Sequence, residues 1–148
     1  MSNAGGRVVA LSISARKGIP KTNVPRASLR EEWGVEGDAH AGAWHRQVSI
    51  LALESIRTMR EKGLAVHPGA FAENVTTEGI DVAHLPVGGR LLMGEAELEI
   101  TQIGKECHDR CAIYRAAGDC VMPREGVFAR VVKGGTVATG DSVTLVGG

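Results

Sequence analysis

The sequence holds 3 cysteines, and all of them, Cys107, Cys111 and Cys120, fall between Ile103 and Arg130 together with His108, Asp109, Asp119, Arg124 and Glu125. An odd number of thiols packed so closely is a poor disulfide framework and points to metal binding or thiol chemistry. Cys107 sits among Lys105, Glu106, His108 and Arg110. Positive neighbours favour the thiolate, which is both the nucleophile and the soft metal ligand, so Cys107 is suited to carry a persulfide or to bind a soft, high-valent metal. Cys111 precedes the apolar run Ala112-Ile113-Tyr114 and reads instead as an inert, packed thiol. Three thiols with His108 are one arithmetic solution for zinc, but C-x3-C-x8-C is not a usual zinc spacing, and His108 cannot easily face the metal that its neighbour Cys107 would bind. Arg124, after Met122-Pro123, offers a guanidinium fork that suits a phosphate or another oxyanion, or else pairs at the surface with Glu125 or Asp119.

A second candidate region is Gly34-Val35-Glu36-Gly37-Asp38-Ala39-His40-Ala41-Gly42, between Trp33 and Trp44. Such a glycine-rich loop brings backbone close to a ligand. Asp38 and His40 could bind a metal or position a substrate, although two ligands are too few for a closed zinc site. The plainer reading has Asp38 bonding its own turn and His40 half-exposed. Glu73 and Asn74, polar within an apolar segment, read as a buried hydrogen-bonding post for neighbouring loops more than as catalysts. Lys17 and Lys21 flank a Gly/Pro turn and read as solvated loop charges, at most one of them functional.

The elements that must position these residues are mostly strands. Arg7 to Ser14 is β-branched and aliphatic, and Gly18, Pro20 and Pro25 then impose an extended or looped connection. Arg46 to Leu53 is a strand entering the core, and Glu54 to Lys62 a short helix stopped at Gly63. His67 to Glu78 is a turn leading into a short strand. Val87–Gly94 and Ala96–Ile103 form a hairpin whose second strand alternates, with Glu97, Glu99 and Thr101 on one face and Leu98, Ile100 and Gln102 on the other, and delivers the chain to Cys107. Further strands are expected over Gly126–Val132, Thr136–Ala138 and Ser142–Val146, with turns at Gly134-Gly135 and Gly140-Asp141. This makes about seven strands and two or three short helices with no βαβ rhythm. Aromatics at 3% and 20 glycines favour a small barrel or sandwich over a helical bundle.

With 148 residues the chain has the size of one domain, expected over residues 7–148, with 1–6 a disordered or expression-tag-derived N-terminus. Net charge is +0 with scattered Lys and Arg, which argues against nucleic acid or an anionic membrane as principal partner. No apolar run of about 18 residues and no secretion signal is present, so the cytoplasm is the expected compartment.

Taken in order, Gly34–His40, Arg46-Gln47-Val48, Gly69–Thr76, Gly79-Ile80, Val87–Leu91, a cysteine following the strand Leu98–Gln102, Gly126–Val132 and Gly140-Asp141 resemble the MOSC domain, the molybdenum cofactor sulfurase C-terminal domain, from about Val8 to the C-terminus. The resemblance implies a mainly β fold, a MOSC-type β-barrel of mostly antiparallel strands with a few short helices. It places the family's characteristic cysteine on Cys107, there proposed to hold a persulfide or to ligate molybdenum. Proline commonly precedes that cysteine; here Glu106 does. It implies binding of the molybdenum cofactor (molybdopterin), with Lys105, Arg110, Arg124, Asp38, His40, Arg46 and Asn74 as the cofactor-contacting candidates. The expected role is handling or sulfurating the cofactor, as a sulfur carrier or sulfur transferase. A cysteine desulfurase or other sulfur donor is the expected partner, with a molybdoenzyme or redox partner as a further one, and no pyridoxal phosphate is expected on this chain. The alternatives are a molybdenum-dependent reductase of N-hydroxylated compounds and a non-enzymatic module that binds zinc or a partner.

Overall fold

The computed structural model describes residues 5–17, 19, 21–104 and 125–146. Their elements in chain order are β1 (Gly5–Ile13), β2 (Thr22–Val24), β3 (Arg26–Arg30), β4 (Gly34–Val35), β5 (Val48–Ala52), α1 (Leu53–Glu61), β6 (Val75–Glu78), β7 (Arg90–Met93), β8 (Ala96–Ile103), β9 (Val127–Lys133), β10 (Gly135–Ala138) and β11 (Ser142–Leu145), with one 3-10 turn at Val82–His84. Strands β11, β7, β8, β9, β5, β6 and β1 pair in that order, and β1 pairs back onto β11, so seven strands close a barrel. β2 continues from β1 at one end, and β10, β3 and β4 form a separate three-stranded sheet. Closure removes the exposed edges that an open sheet of this size would present.

The expected barrel is therefore what forms, and its hairpin of β7 and β8 is antiparallel with Leu91 opposite Leu98. Ala96, Leu98 and Ile100 are buried while Glu97, Glu99 and Thr101 face outward, as the alternation requires. Four features differ from the reading of the sequence. β1 starts at Gly5, so Gly5 and Gly6, expected to be disordered, are ordered strand residues of the barrel; they pair with Thr144 and Val143. Glycine is needed there, because a Cβ on Gly6 would lie 2.3 Å from the Glu78 carbonyl oxygen. The strand β4 lies in the glycine-rich stretch expected to be loop, β2 in the extended or looped connection, and β3 in a stretch for which no element was expected. Gly135 is not the turn of a hairpin but the first residue of β10, opposite Leu29 of β3. Finally, β5 and β6 are parallel, joined by α1, so the barrel contains one βαβ crossover.

That crossover explains the wholly apolar run at β5. Val48, Ile50 and Ala52 point into the barrel core, whereas Leu51 packs outside it with Leu53, Ile56 and Met59 of α1 and with Phe71 and Phe128. The fully buried Val48, Ile50, Leu51, Ile56 and Met59 each contribute about 1.5–3 kcal/mol by leaving water. α1 ends at Glu61, Lys62 is its C-cap, and Gly63 follows with φ 91°. Among the described residues no helix is long and apolar enough to cross a membrane.

Candidate functional site

The outer layer that covers β5 and β9 is incomplete, and its gap is a pocket of about 150 Å³ lined by Lys17, His40, Trp44, Arg46, Ser49, Phe71, Ala72 and Phe128. Ser49 and Phe128 sit opposite each other on β5 and β9 and form its floor. Ser49 is on the same outward face as Leu51, but α1 begins at Leu53 and covers only the far end of the strand. The loops from Asp38 to Arg46 and from Gly69 to Glu73 supply the remaining walls.

His40 is held from beneath by a buried network. The Lys21 ammonium donates to Asp38 Oδ1 at 2.7 Å, to Ser14 Oγ at 3.2 Å and to His40 Nδ1 at 2.9 Å. Both Lys21 and Asp38 side chains are 0% exposed. Asp38 also accepts the Ser14 N–H at 3.1 Å through Oδ1 and the His40 N–H at 3.1 Å through Oδ2. Burial by itself would raise the Asp38 carboxyl, but its polar neighbours His40, Lys21 and Asn74 and the Ser14 amide outweigh it and hold the group well below the usual carboxylate range. A metal between Asp38 and His40 would have to take the place of this ammonium. Among the described residues no group of three or more His, Cys, Asp or Glu side chains could hold a metal ion.

The opposite wall rests on Glu73 and Asn74. Glu73 is 0% exposed, and its carboxylate accepts the Gly69 N–H at 2.8 Å, the Phe71 N–H at 3.2 Å and the Thr76 hydroxyl at 2.9 Å. Burial pushes this carboxyl up in spite of those donors. Asn74 donates from Nδ2 to Ser12 O at 3.2 Å and accepts the Ser49 N–H at 3.0 Å. Both residues are the hydrogen-bonding post that their context suggested, and Asn74 lies beneath the pocket with its amide engaged by the barrel wall. The Lys21 N–H donates to Gly69 O at 2.9 Å, so the two walls touch. Only glycine permits this approach: Gly69 has φ 95°, and a Cβ there would lie 2.6 Å from Lys21 O.

Arg46 stands over the Phe128 ring at 5.2 Å and donates from Nε to Gln102 Oε1 at 3.2 Å. Lys17 stands over the Trp44 ring at 5.4 Å. Gln102 Oε1 also accepts from His45 Nε2 at 2.9 Å, and Gln102 Nε2 donates to Gly104 O at 2.7 Å. The Gly104 N–H in turn donates to Gly126 O at 2.6 Å. The chain thus departs from β8 and returns to β9 at one point on the rim of this pocket.

Of the residues expected from sequence, His40 and Arg46 line the pocket, and Asp38 and Asn74 support it from below. Lys105, Cys107, Arg110 and Arg124 lie outside the described residues. Of the two lysines expected to be solvated loop charges, Lys17 is exposed at the pocket wall, whereas Lys21 is buried beneath His40, because Asp38, Ser14 and His40 accept from its ammonium. Ser49, Phe71 and Phe128 were legible only as core. The signal that could have marked Ser49 is a hydroxyl within a strand that is otherwise apolar on both faces.

A profile of the family described as "MOSC domain" matches residues 37–144. No curated protein matches the chain. Among solved structures, the YuaD protein from Bacillus subtilis superposes with a TM-score of 0.79 at 20% identity, covering 95% of each chain. YiiM from Escherichia coli superposes with a TM-score of 0.66 at 22% identity, covering 95% of this chain and 69% of its own. YiiM from Geobacillus stearothermophilus gives 0.65 at 20% identity, over 97% of this chain and 73% of its own. At these identities the structures share the fold.

Proposed function

This chain belongs to the MOSC domain family, and we propose on that premise that it binds the molybdenum cofactor at the pocket over β5 and β9 and serves as a sulfur carrier through Cys107. The observation that supports this reading is a pocket walled by aromatic rings and cations at the point where the Cys107 segment leaves the barrel. Cys107 follows Gly104 by three residues, so no more than about 11 Å of extended chain separates it from the rim.

The residues present fit such a ligand. A planar heterocycle carrying a phosphate and a metal-oxo group needs flat apolar faces, cationic donors and a soft ligand. Trp44, Phe71 and Phe128 are the faces. Lys17 and Arg46 are the cations, and Arg46 makes one hydrogen bond, through Nε, among the described residues. His40 adds a polar edge. A pocket of about 150 Å³ takes one end of such a ligand. Lys17, His40 and Arg46 would hold it, and when bound it would supply a metal centre able to take up sulfur.

Cys107 can be charged without an external oxidant. Its thiolate attacks the outer sulfur of a persulfide on a donor protein; the donor's S–S bond breaks, the donor leaves as a thiolate, and the outer sulfur remains on Cys107. A cysteine desulfurase, acting as a separate protein, is the donor this chemistry calls for. Lys105 and Arg110, its neighbours in sequence, would favour the thiolate, and Arg124 would add a guanidinium for an oxyanion.

The test compares wild type with Cys107→Ser, each purified anaerobically from a host that makes the cofactor, for molybdenum, pterin and cyanide-releasable sulfur. Pterin in both, with releasable sulfur in wild type alone, is the expected result. Molybdenum and pterin lost together in the variant would make Cys107 the metal ligand and point to the reductase. Zinc without pterin in wild type would overturn both in favour of a binding module.

A further inference from the structure

We propose that Lys21 is a positioning residue: its buried ammonium holds His40 in the tautomer protonated on Nε2, so that the pocket meets its ligand with a donor at this edge and selects an oxyanion there. The proposal rests on reading the pocket as a ligand site, but not on the ligand being the molybdenum cofactor.

An ammonium has three donors and no acceptor. All three of Lys21 are used, on Ser14 Oγ, Asp38 Oδ1 and His40 Nδ1. His40 Nδ1 must therefore accept, and a neutral imidazole that accepts at Nδ1 carries its hydrogen on Nε2. The alternative acceptor for an Nδ1–H would be Asp38 Oδ2, 3.7 Å away, and that oxygen already takes the His40 backbone N–H at 3.1 Å. With Lys21 gone, Asp38 Oδ2 becomes the nearest acceptor and the tautomer reverses. The Nε2 edge is the one left for the pocket that the ring lines, and it has no partner among the described residues.

Packing alone gives no reason for this arrangement. Burying an ammonium and a carboxylate costs several kcal/mol of desolvation for each ion, and an apolar pair of similar volume would fill the space as well. What the ion pair adds is direction. It keeps the Asp38 carboxylate turned inward and neutralised, so that no Asp or Glu lines the described pocket, while Lys17 and Arg46 give it positive charge. An anion is favoured by that charge and an acceptor by the Nε2–H; an oxyanion satisfies both.

The experiment is a two-bond nitrogen–proton correlation spectrum of the full chain labelled with 15N-histidine, free of cofactor, with His40 identified by the signal missing in His40→Gln. Wild type is expected to show the Nε2–H form alone, and inorganic phosphate is expected to shift Nε2. An Nδ1–H form, or an Nε2 unmoved by phosphate, overturns the proposal without any substitution at Lys21. The double variant Lys21→Met/Asp38→Asn removes one cation and one anion, so its net charge is unchanged. It should show mixed tautomers and bind phosphate about tenfold more weakly, as expected for losing one hydrogen bond to a charged group. Retention of the wild-type tautomer and phosphate affinity in that variant would assign Lys21 a purely structural role. If these signatures hold while the protein retains no pterin, the molybdenum reading falls and this one stands.

Discussion

Asn74 and Ser49 clasp each other across the wall of the pocket: Asn74 Oδ1 accepts the Ser49 N–H at 3.0 Å, and the Asn74 N–H donates to Ser49 Oγ at 3.0 Å. The Ser49 hydroxyl also lies within 3.2 Å of both Asn74 Oδ1 and Ala72 O. One amide therefore fixes the pocket floor, the loop beside it and, through Ser12, the first strand of the barrel.

Asn74→Ala should accordingly unfold more easily than its small volume change implies. It leaves the Ser49 N–H and the Ser12 carbonyl unpaired in buried positions, at about 1–3 kcal/mol for each group. A fall in the urea midpoint with an unchanged denaturant slope is the expected measurement. An unchanged midpoint would mean that water or the neighbouring carbonyls replace the amide.

The Asp38–Lys21 pair makes stability depend on pH in a defined direction. Asp38 titrates below its unfolded value of 3.8, so the unfolded chain binds its proton first as the medium is acidified. The stabilisation is complete above that pH and is lost as pH falls through the folded-state value. Glu73 works in the opposite sense: with its folded value above 4.5, it withdraws stability as pH rises from there. Urea unfolding of wild type and Asp38→Asn between pH 2 and 7 separates the two. The difference between the proteins should be about 3 kcal/mol near neutrality and shrink below pH 4. A difference that stays constant on acidification would show that Asp38 contributes through shape and not charge.

Ala72 has φ 64°, a left-handed conformation in a residue that carries a Cβ, and it lines the pocket. The Glu73 carboxylate holds that turn by gripping the amides of Gly69 and Phe71 on its other side. The left-handed conformation costs about 1–2 kcal/mol, more than glycine's extra unfolded-state entropy of about 0.5–1 kcal/mol. Ala72→Gly is thus expected to raise the melting temperature slightly and Ala72→Val to lower it clearly, since a β-branched side chain tolerates this region least. The same sign for both variants would contradict strain at this position.

Legibility of the fold followed how directly each residue reports its surroundings. The β7–β8 hairpin was readable because every second residue of β8 is buried, whereas Gly5 and Gly6 carry no side chain to show a pattern. β3 was missed because only Leu29 of Arg26-Ala27-Ser28-Leu29-Arg30 is buried. At the site, the glycine-rich loop marked Asp38 and His40, and the order of motifs marked Arg46. Lys21 was not legible: a lysine in a Gly/Pro turn looks solvated, and its burial depends on partners 17 and 19 residues further along the chain. Phe71 and Phe128 are apolar in sequence whether they are covered or form a wall, and only the position of α1 decides.

Gln102 joins Arg46 of the pocket to the end of β8. Its Oε1 orients Arg46 and His45, while its Nε2 holds the Gly104 carbonyl, three residues before Cys107. The residue is only partly buried, so Gln102→Leu should cost under about 1 kcal/mol in stability. Its effect on binding should be larger, because Arg46 would lose the contact that holds its guanidinium above Phe128. A loss of about tenfold in phosphate affinity, with the urea midpoint nearly unchanged, is the expected outcome. Gln102→Glu supplies the control, since it keeps an acceptor for Arg46 Nε but cannot donate to Gly104 O. Phosphate affinity retained in Gln102→Glu and lost in Gln102→Leu would locate the effect in the arginine; loss in both would locate it in the tether to Gly104 or in the added negative charge, which higher salt would screen and so distinguish.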